Sequence, residues 1–191
     1  MIDITLVYIR DLLNQHFKNH FSISDNKVVL SNLVESDGSF AKEVDDKVVF
    51  FLLGFEEESS LKNTNSRGGS IANGSFSDKH PPLYLNLNLF FCANFRNQNY
   101  TEGLHYLSFI ISYFQQHKTL VPINSLGLSK RVQKLSFELC KLDYDQLSHI
   151  WSSIGSKLLP SALYKVGIVV FDESPITKIT PVITRSEEDR N

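Results

Sequence analysis

The sequence predicts a single α/β (α+β) domain, a mixed and mainly antiparallel β-sheet flanked by α-helices. Three observations carry this expectation. In Leu83–Phe95, LYLNLNLFFCANF, the odd positions are all apolar, and the even positions run from polar Tyr84, Asn86 and Asn88 to apolar Phe90 and Cys92. Alternate side chains of a strand point to opposite faces, so one face lies on the core throughout, and the other starts wet and ends buried. Lys47–Glu57, KVVFFLLGFEE, is apolar on both faces, as expected of a strand covered on both sides near the middle of a sheet. Between such strands run stretches with apolar residues at helical spacing.

In chain order, Asp3–Phe17 reads as an amphipathic helix. Leu6, Ile9, Leu13 and Phe17 form its stripe and Asp3 is a candidate cap. Lys27–Leu33 is a short apolar strand at the sheet edge, and Asp37-Gly38 marks a turn. Gly54 hints at a bulge in the long strand that follows. Ser59–Pro82 is rich in Ser, Asn and Gly and too poor in large apolar residues to offset its ordering entropy. It joins two long strands and so reads as an extended hairpin connection, of a length usually associated with function or disorder.

After Phe95, Asn99 and Glu102 resemble a capping box for a helix reaching about His117. Leu104, Leu107, Ile111 and Phe114 form its stripe, and Tyr106, Phe109, Ile110 and Tyr113 widen it beyond half the girth. Such a helix is either deep in the core or faces a second protein. Val132–Leu142 alternates again, with Leu135, Phe137 and Leu139 on one face. Asp143 and Gln146 then cap a helix carrying Tyr144, Leu147, Ile150, Trp151, Ile154 and Leu158, weakened by Gly155 and stopped by Pro160. Tyr164–Phe171 is the final strand. Residues 1–173 therefore form the domain, with a loop at 59–82, and 174–191 a polar, solvated tail.

The totals narrow the function classes. A hydrophobic share of 42% is enough for a core, and a net charge of -2 gives no reason to expect nucleic acid or an anionic membrane as partner. No run approaches the roughly 20 apolar residues of a membrane span, and the N-terminus lacks the pattern of a signal peptide. The expected setting is therefore the cytosol. There Cys92 and Cys140 read as buried thiols rather than a disulfide, and Asn73-Gly74-Ser75 has no glycosylation role. His16 and His20 stand four apart on the first helix without a third ligand, so no metal is expected. Glu56 and Glu57 are separated by strand alternation, and Glu58 reads with them as a solvated strand end. Arg67-Gly68-Gly69 lacks the lysine and helix of a phosphate loop. No nucleophile elbow occurs, so no catalytic residue and no cofactor are expected.

Taken together, KVVLSNLVESDGS (Lys27–Ser39), KVVFFLLGFEEE (Lys47–Glu58), PPLYLNLNLFFCANF (Pro81–Phe95), NYTEGLHYLSFIISYFQ (Asn99–Gln115) and the stretch Lys134–Glu173 resemble the N-terminal domain of tail-terminator, or cap, proteins of phage tail-like contractile injection systems. The most specific part is the last, with Leu147, Trp151 and Gly155 in the helix, Leu159-Pro160-Ser161 after it and the Tyr164–Val169 strand. The resemblance implies a phage tail-terminator fold and a structural role. The protein would assemble in a bacterial cytoplasm, form a sixfold ring, close the distal end of the inner tube, contact the sheath, and become part of the particle. The partners implied are the chain itself, the tube protein and the sheath protein. A baseplate or adaptor component of the same particle, or a small cytosolic enzyme, are the alternatives.

Four places could meet partners under this reading. They are the loop at Arg67, Gly68 and Gly69, the wet end of the long strand at Tyr84, Asn86 and Asn88, the broad helix face at Tyr106, Phe109 and Tyr113, and the basic pair Lys130 and Arg131. An edge strand that accepts a partner's arm by strand addition is a further expectation.

Overall fold

The computed structural model describes residues 1–35, 37–39, 41–58, 75–77, 83–122, 132–170 and 179–181. Its elements, in chain order, are α1 (Ile2–Phe21), β1 (Val28–Leu30), β2 (Lys47–Glu57), β3 (Ser75–Ser77), β4 (Leu83–Asn94), α2 (Tyr100–Gln116), β5 (Thr119–Leu120), β6 (Val132–Leu139), α3 (Tyr144–Ile154), β7 (Ser161–Val170) and β8 (Ile179–Pro181). The main sheet runs β1-β2-β4-β7-β6-β5. Only the β1–β2 pair is parallel, so the sheet is mixed and mainly antiparallel as expected.

The centre of the sheet is β4 with β7, and β2 stands one strand further out. The β2–β4 pair is antiparallel, consistent with a hairpin connection through 59–82, and its register slips between Leu52 and Gly54, where the glycine suggested a bulge. The expectation that β2 is covered on both sides holds only for its first half. Val48, Val49 and Phe50 are fully buried, whereas Leu53 and Phe55 are 39% and 60% exposed.

Strand alternation divides the core in two. Leu87, Leu89, Phe91 and Ala93 of β4 join Val48, Phe50, Tyr164, Val166 and Ile168 under α1 and α2. On the opposite face Phe90 and Cys92 join Val49, Leu33 and Val44 under Trp151 of α3. The Trp151 ring meets Phe90 edge-on at 5.5 Å, and Phe91 stacks on Phe50 at 4.9 Å. The first contact ties α3 to β4, and the second ties β2 to β4 on the opposite face.

The wide apolar girth of α2 is explained within the chain. Tyr106, Ile110, Tyr113 and Phe114 are buried, and α1 packs across the flank through Phe17, which lies 5.3 Å from Tyr106 and 5.2 Å from Phe109. Gly103 allows α2 to approach β4: a Cβ there would stand 2.7 Å from Cδ2 of Phe95. In the predicted stripe itself, Leu104 is 38% exposed.

Asn14 of α1 closes one sheet edge. Its side-chain amide donates to the Val28 carbonyl at 2.8 Å and its oxygen accepts from the Val28 N–H at 3.0 Å. Both backbone groups face away from β2, so the side chain stands where another strand would pair. The strand-addition expectation therefore does not suit β1 at Val28.

Several local expectations are corrected. Asp3 is not the cap of α1, because the helix starts at Ile2 and places Asp3 in its first turn, where it accepts from the N-terminal amine. The Asn99–Glu102 box does not form: the Asn99 amide donates to Asp46 at 3.2 Å, and Glu102 faces Lys27 at 4.0 Å. At α3 the box does form, with Gln146 N–H donating to Asp143 at 2.7 Å and Asp143 N–H to the Gln146 side chain at 3.1 Å. That helix ends before Pro160, because Gly155 takes the left-handed cap conformation at φ 74°. Only Trp151 of α3 is buried, while Tyr144 is 90% and Leu158, beyond the helix, 64% exposed. Leu139, at the end of β6, is half exposed rather than on the core. In the predicted solvated tail, β8 pairs antiparallel with β3 in a separate two-stranded sheet.

Candidate functional site

The α3 side of the sheet is covered over only part of its area, and the remainder is polar. Directly opposed residues of paired strands share a face, so the registers define it. Asn86 lies opposite Glu56 and Gly167, and Gly167 lies opposite Ser136. Asn88 lies opposite Lys165, which lies opposite Glu138. Tyr84 is opposite Val169, and Val169 opposite Lys134. Four strands thus present a polar face at the end where the loop at 59–82 joins the sheet.

This face contains an open cleft of about 490 Å³, bordered by Glu58, Asn86, Ser136, Lys165 and Gly167, with Lys118 and Thr119 on its far side. Its geometry is fixed by contacts among polar side chains. Asn86, 7% exposed, donates its amide to Glu58 at 2.7 Å. The Lys165 ammonium stands 3.3 Å from the Glu56 carboxylate. Ser136 donates its hydroxyl to the Gly167 carbonyl at 3.4 Å. A Cβ at Gly167 would fall 2.5 Å from the Ser136 hydroxyl oxygen, so a larger residue there would displace that hydroxyl.

The Cys92 thiol lies in the second core, where burial pushes its pKa up to about 12. Cys92 and Cys140 are both free thiols, Cys140 half-buried. Among the described residues no three metal-ligating side chains converge, and no helix is long and apolar enough to cross a membrane.

Of the residues singled out in the sequence, Tyr84, Asn86 and Asn88 come together on this polar face. Tyr106, Phe109 and Tyr113 do not join them. They lie on the other side of the sheet, between α1 and α2, with Tyr106 and Tyr113 only 6% and 8% exposed. Burial, with Glu102 nearby, pushes the Tyr106 phenol up to about 12. A broad apolar helix face says that cover is needed, and here α1 supplies it. Arg67, Gly68, Gly69, Lys130 and Arg131 lie outside the described residues. Glu56, Glu58, Ser136, Lys165 and Gly167 were not foreseen as a group. Period-two spacing puts Glu56 and Glu58 on one face, but their neighbours become visible only when β2, β4, β7 and β6 are placed in register.

Comparison with known proteins gives this fold a context. The family model of the Pvc16 N-terminal domain matches residues 6–185. The fold is similar to that of the sheath/tube terminator of the extracellular contractile injection system PVC in its extended state. The identity is 18% and the TM-score 0.69, covering 100% of this chain and 63% of the other. It is also similar to the tube-terminating cap of the anti-feeding prophage, at 16% identity and a TM-score of 0.60, covering 94% of this chain and 60% of that one. The chain therefore spans about three fifths of the length of each. A search of curated proteins finds no match.

Proposed function

The chain belongs to the Pvc16 N-terminal domain family, and from that premise we propose that it is a terminator subunit of a phage tail-like contractile injection particle. In this role six copies form a ring that closes the distal end of the inner tube and meets the last layer of the sheath. The subunit assembles in the cytoplasm and leaves as part of the particle. The observation that carries the proposal is the match of the whole chain to the fold of a sheath/tube terminator.

The polar face of β2, β4, β7 and β6 is the surface we assign to a neighbouring component. It lies at the end of the sheet where β2 ends and β4 begins, and no helix residue lines its cleft. Asn86, Ser136 and Gly167 hold its floor in a fixed shape. A ring subunit needs two different contact patches that close by rotation, and a preformed, polar, partly buried face suits the more adaptable of such contacts.

The test is to image particles assembled without this chain. A missing terminator gives overlong or unstable tubes and sheaths, and adding the protein back restores uniform length. If particles instead fail to assemble at all, the protein is a baseplate or adaptor component. For the face itself, the paired replacements Lys134→Glu and Glu138→Arg reverse two exposed charges without touching the core. Loss of capping by a subunit of unchanged stability supports the assignment, and full capping removes it.

A further inference from the structure

The seam between α1 and α2 carries histidines that the terminator role does not use. His16 stacks on Phe109 at 4.8 Å with an interplanar angle of 13°, and lies 4.5 Å from the Tyr113 ring. His20, one turn on and exposed, lies 4.5 Å from the Phe109 ring. His117, just past the end of α2, stacks on Tyr113 at 4.5 Å with its Nδ1 3.0 Å from the Tyr113 carbonyl. Three imidazoles thus clasp the two aromatic rings, Phe109 and Tyr113, through which α2 meets α1.

We propose that this histidine–aromatic seam is an acid-sensitive latch, closed at neutral pH and loosened when His16 takes up a proton. The central group is His16, which is half-buried. Its pKa is held below the ordinary value by burial first, then by repulsion from His117 and His20. The titratable groups facing the seam are His20 and Tyr8 from α1, and Tyr113 and His117 from the α2 side. The groups that act on the charge of His16 are those two imidazoles.

The sign follows from linkage. A histidine whose folded pKa is depressed binds protons more readily in the unfolded chain. The stability of the seam is therefore complete above the unfolded value of about 6.5 and is lost as pH falls from there through the folded pKa. Opening α1 would uncover Phe17 and Tyr106, the aromatic side of the first core. The latch is independent of the terminator assignment, since it uses only contacts within one subunit.

The test is urea unfolding of the full chain at pH 7.5 and 5.0, beside amide exchange resolved by segment and corrected for intrinsic rate. The expected result is a lower midpoint at pH 5.0, with amides of α1 losing protection at least threefold more than those of α3. In His16→Phe, which keeps the stack on Phe109, the drop in midpoint is at least halved. If that variant does not fold, His117→Gln removes one repelling charge and is expected to shrink the drop as well. An undiminished drop in the folded variants, or equal loss of protection in α1 and α3, overturns the latch.

Discussion

Replacing Asn14 by Leu tests how the chain closes its β1 edge. The native side chain is 4% exposed and spans both outward backbone groups of Val28, at 2.8 and 3.0 Å, with a further donation to the Arg10 carbonyl at 3.0 Å. Leucine fills a similar volume but offers neither donor nor acceptor. Each buried backbone group left without a partner costs about 1–3 kcal/mol, and the added apolar burial returns roughly 1 kcal/mol. A net loss of about 1–5 kcal/mol is expected, set against the roughly 5–15 kcal/mol that stabilises a domain. Urea denaturation measures it as a shift in midpoint at unchanged slope. Asn14→Asp separates the two bonds. Its carboxylate accepts from the Val28 N–H but sets a second oxygen against the carbonyl, so this variant recovers part of its deficit when acid protonates it. A loss below about 0.5 kcal/mol in Asn14→Leu would show that water or a shifted backbone replaces the amide, and the edge-sealing argument would be wrong.

Three further outcomes follow from close contacts and caps. Gly103→Ala gains about 1 kcal/mol of helix propensity but forces a Cβ into the root of the Phe95 ring at 2.7 Å, so a net loss of up to about 2 kcal/mol is expected, absent in a Phe95→Ala background. Asp143→Ala removes both halves of the capping box and should cost about 1 kcal/mol by thermal or urea unfolding, felt first in the second core under Trp151. Gly167→Ala pushes on the Ser136 hydroxyl and is expected to cost roughly 1 kcal/mol and to alter the polar face, with Ser136→Gly restoring stability.

What could be read from the residues was whatever depends on local period and local chemistry. Leu83–Phe95 declared its two faces, and the switch from Asn86 and Asn88 to Phe90 and Cys92 marks where the second core begins. Asp143 and Gln146 formed the box their spacing suggested because nothing nearby competes for them. Asn99 and Glu102 have the same spacing and did not, because Asp46, distant in sequence, takes the Asn99 amide, while Glu102 turns to Tyr106 one helical turn on and to Lys27. Tertiary partners of this kind leave no local trace.

The same limit shaped the reading of the candidate site. Tyr106 and Tyr113 signalled a helix that needs cover on a broad face, but a periodic pattern does not say whether the cover is another subunit or the chain's own first helix. Phe55 looked like core by composition and is 60% exposed, since alternation reports a face and not whether anything lies over it. The polar face required strand order. Lys165 meets Glu56 across two strand boundaries, and Gly167 explains itself only beside Ser136. The resemblance of five ordered segments to tail terminators, by contrast, used the whole chain at once, and the family match over residues 6–185 bears it out.

The most direct test of the terminator account is electron microscopy of the purified chain, alone and mixed with open inner tubes. The account predicts sixfold rings seated on one end of the tubes, absent from the other, with the polar face of β2, β4, β7 and β6 in contact with a neighbouring chain. A protein that stays a monomer at high concentration and leaves both tube ends bare would contradict it.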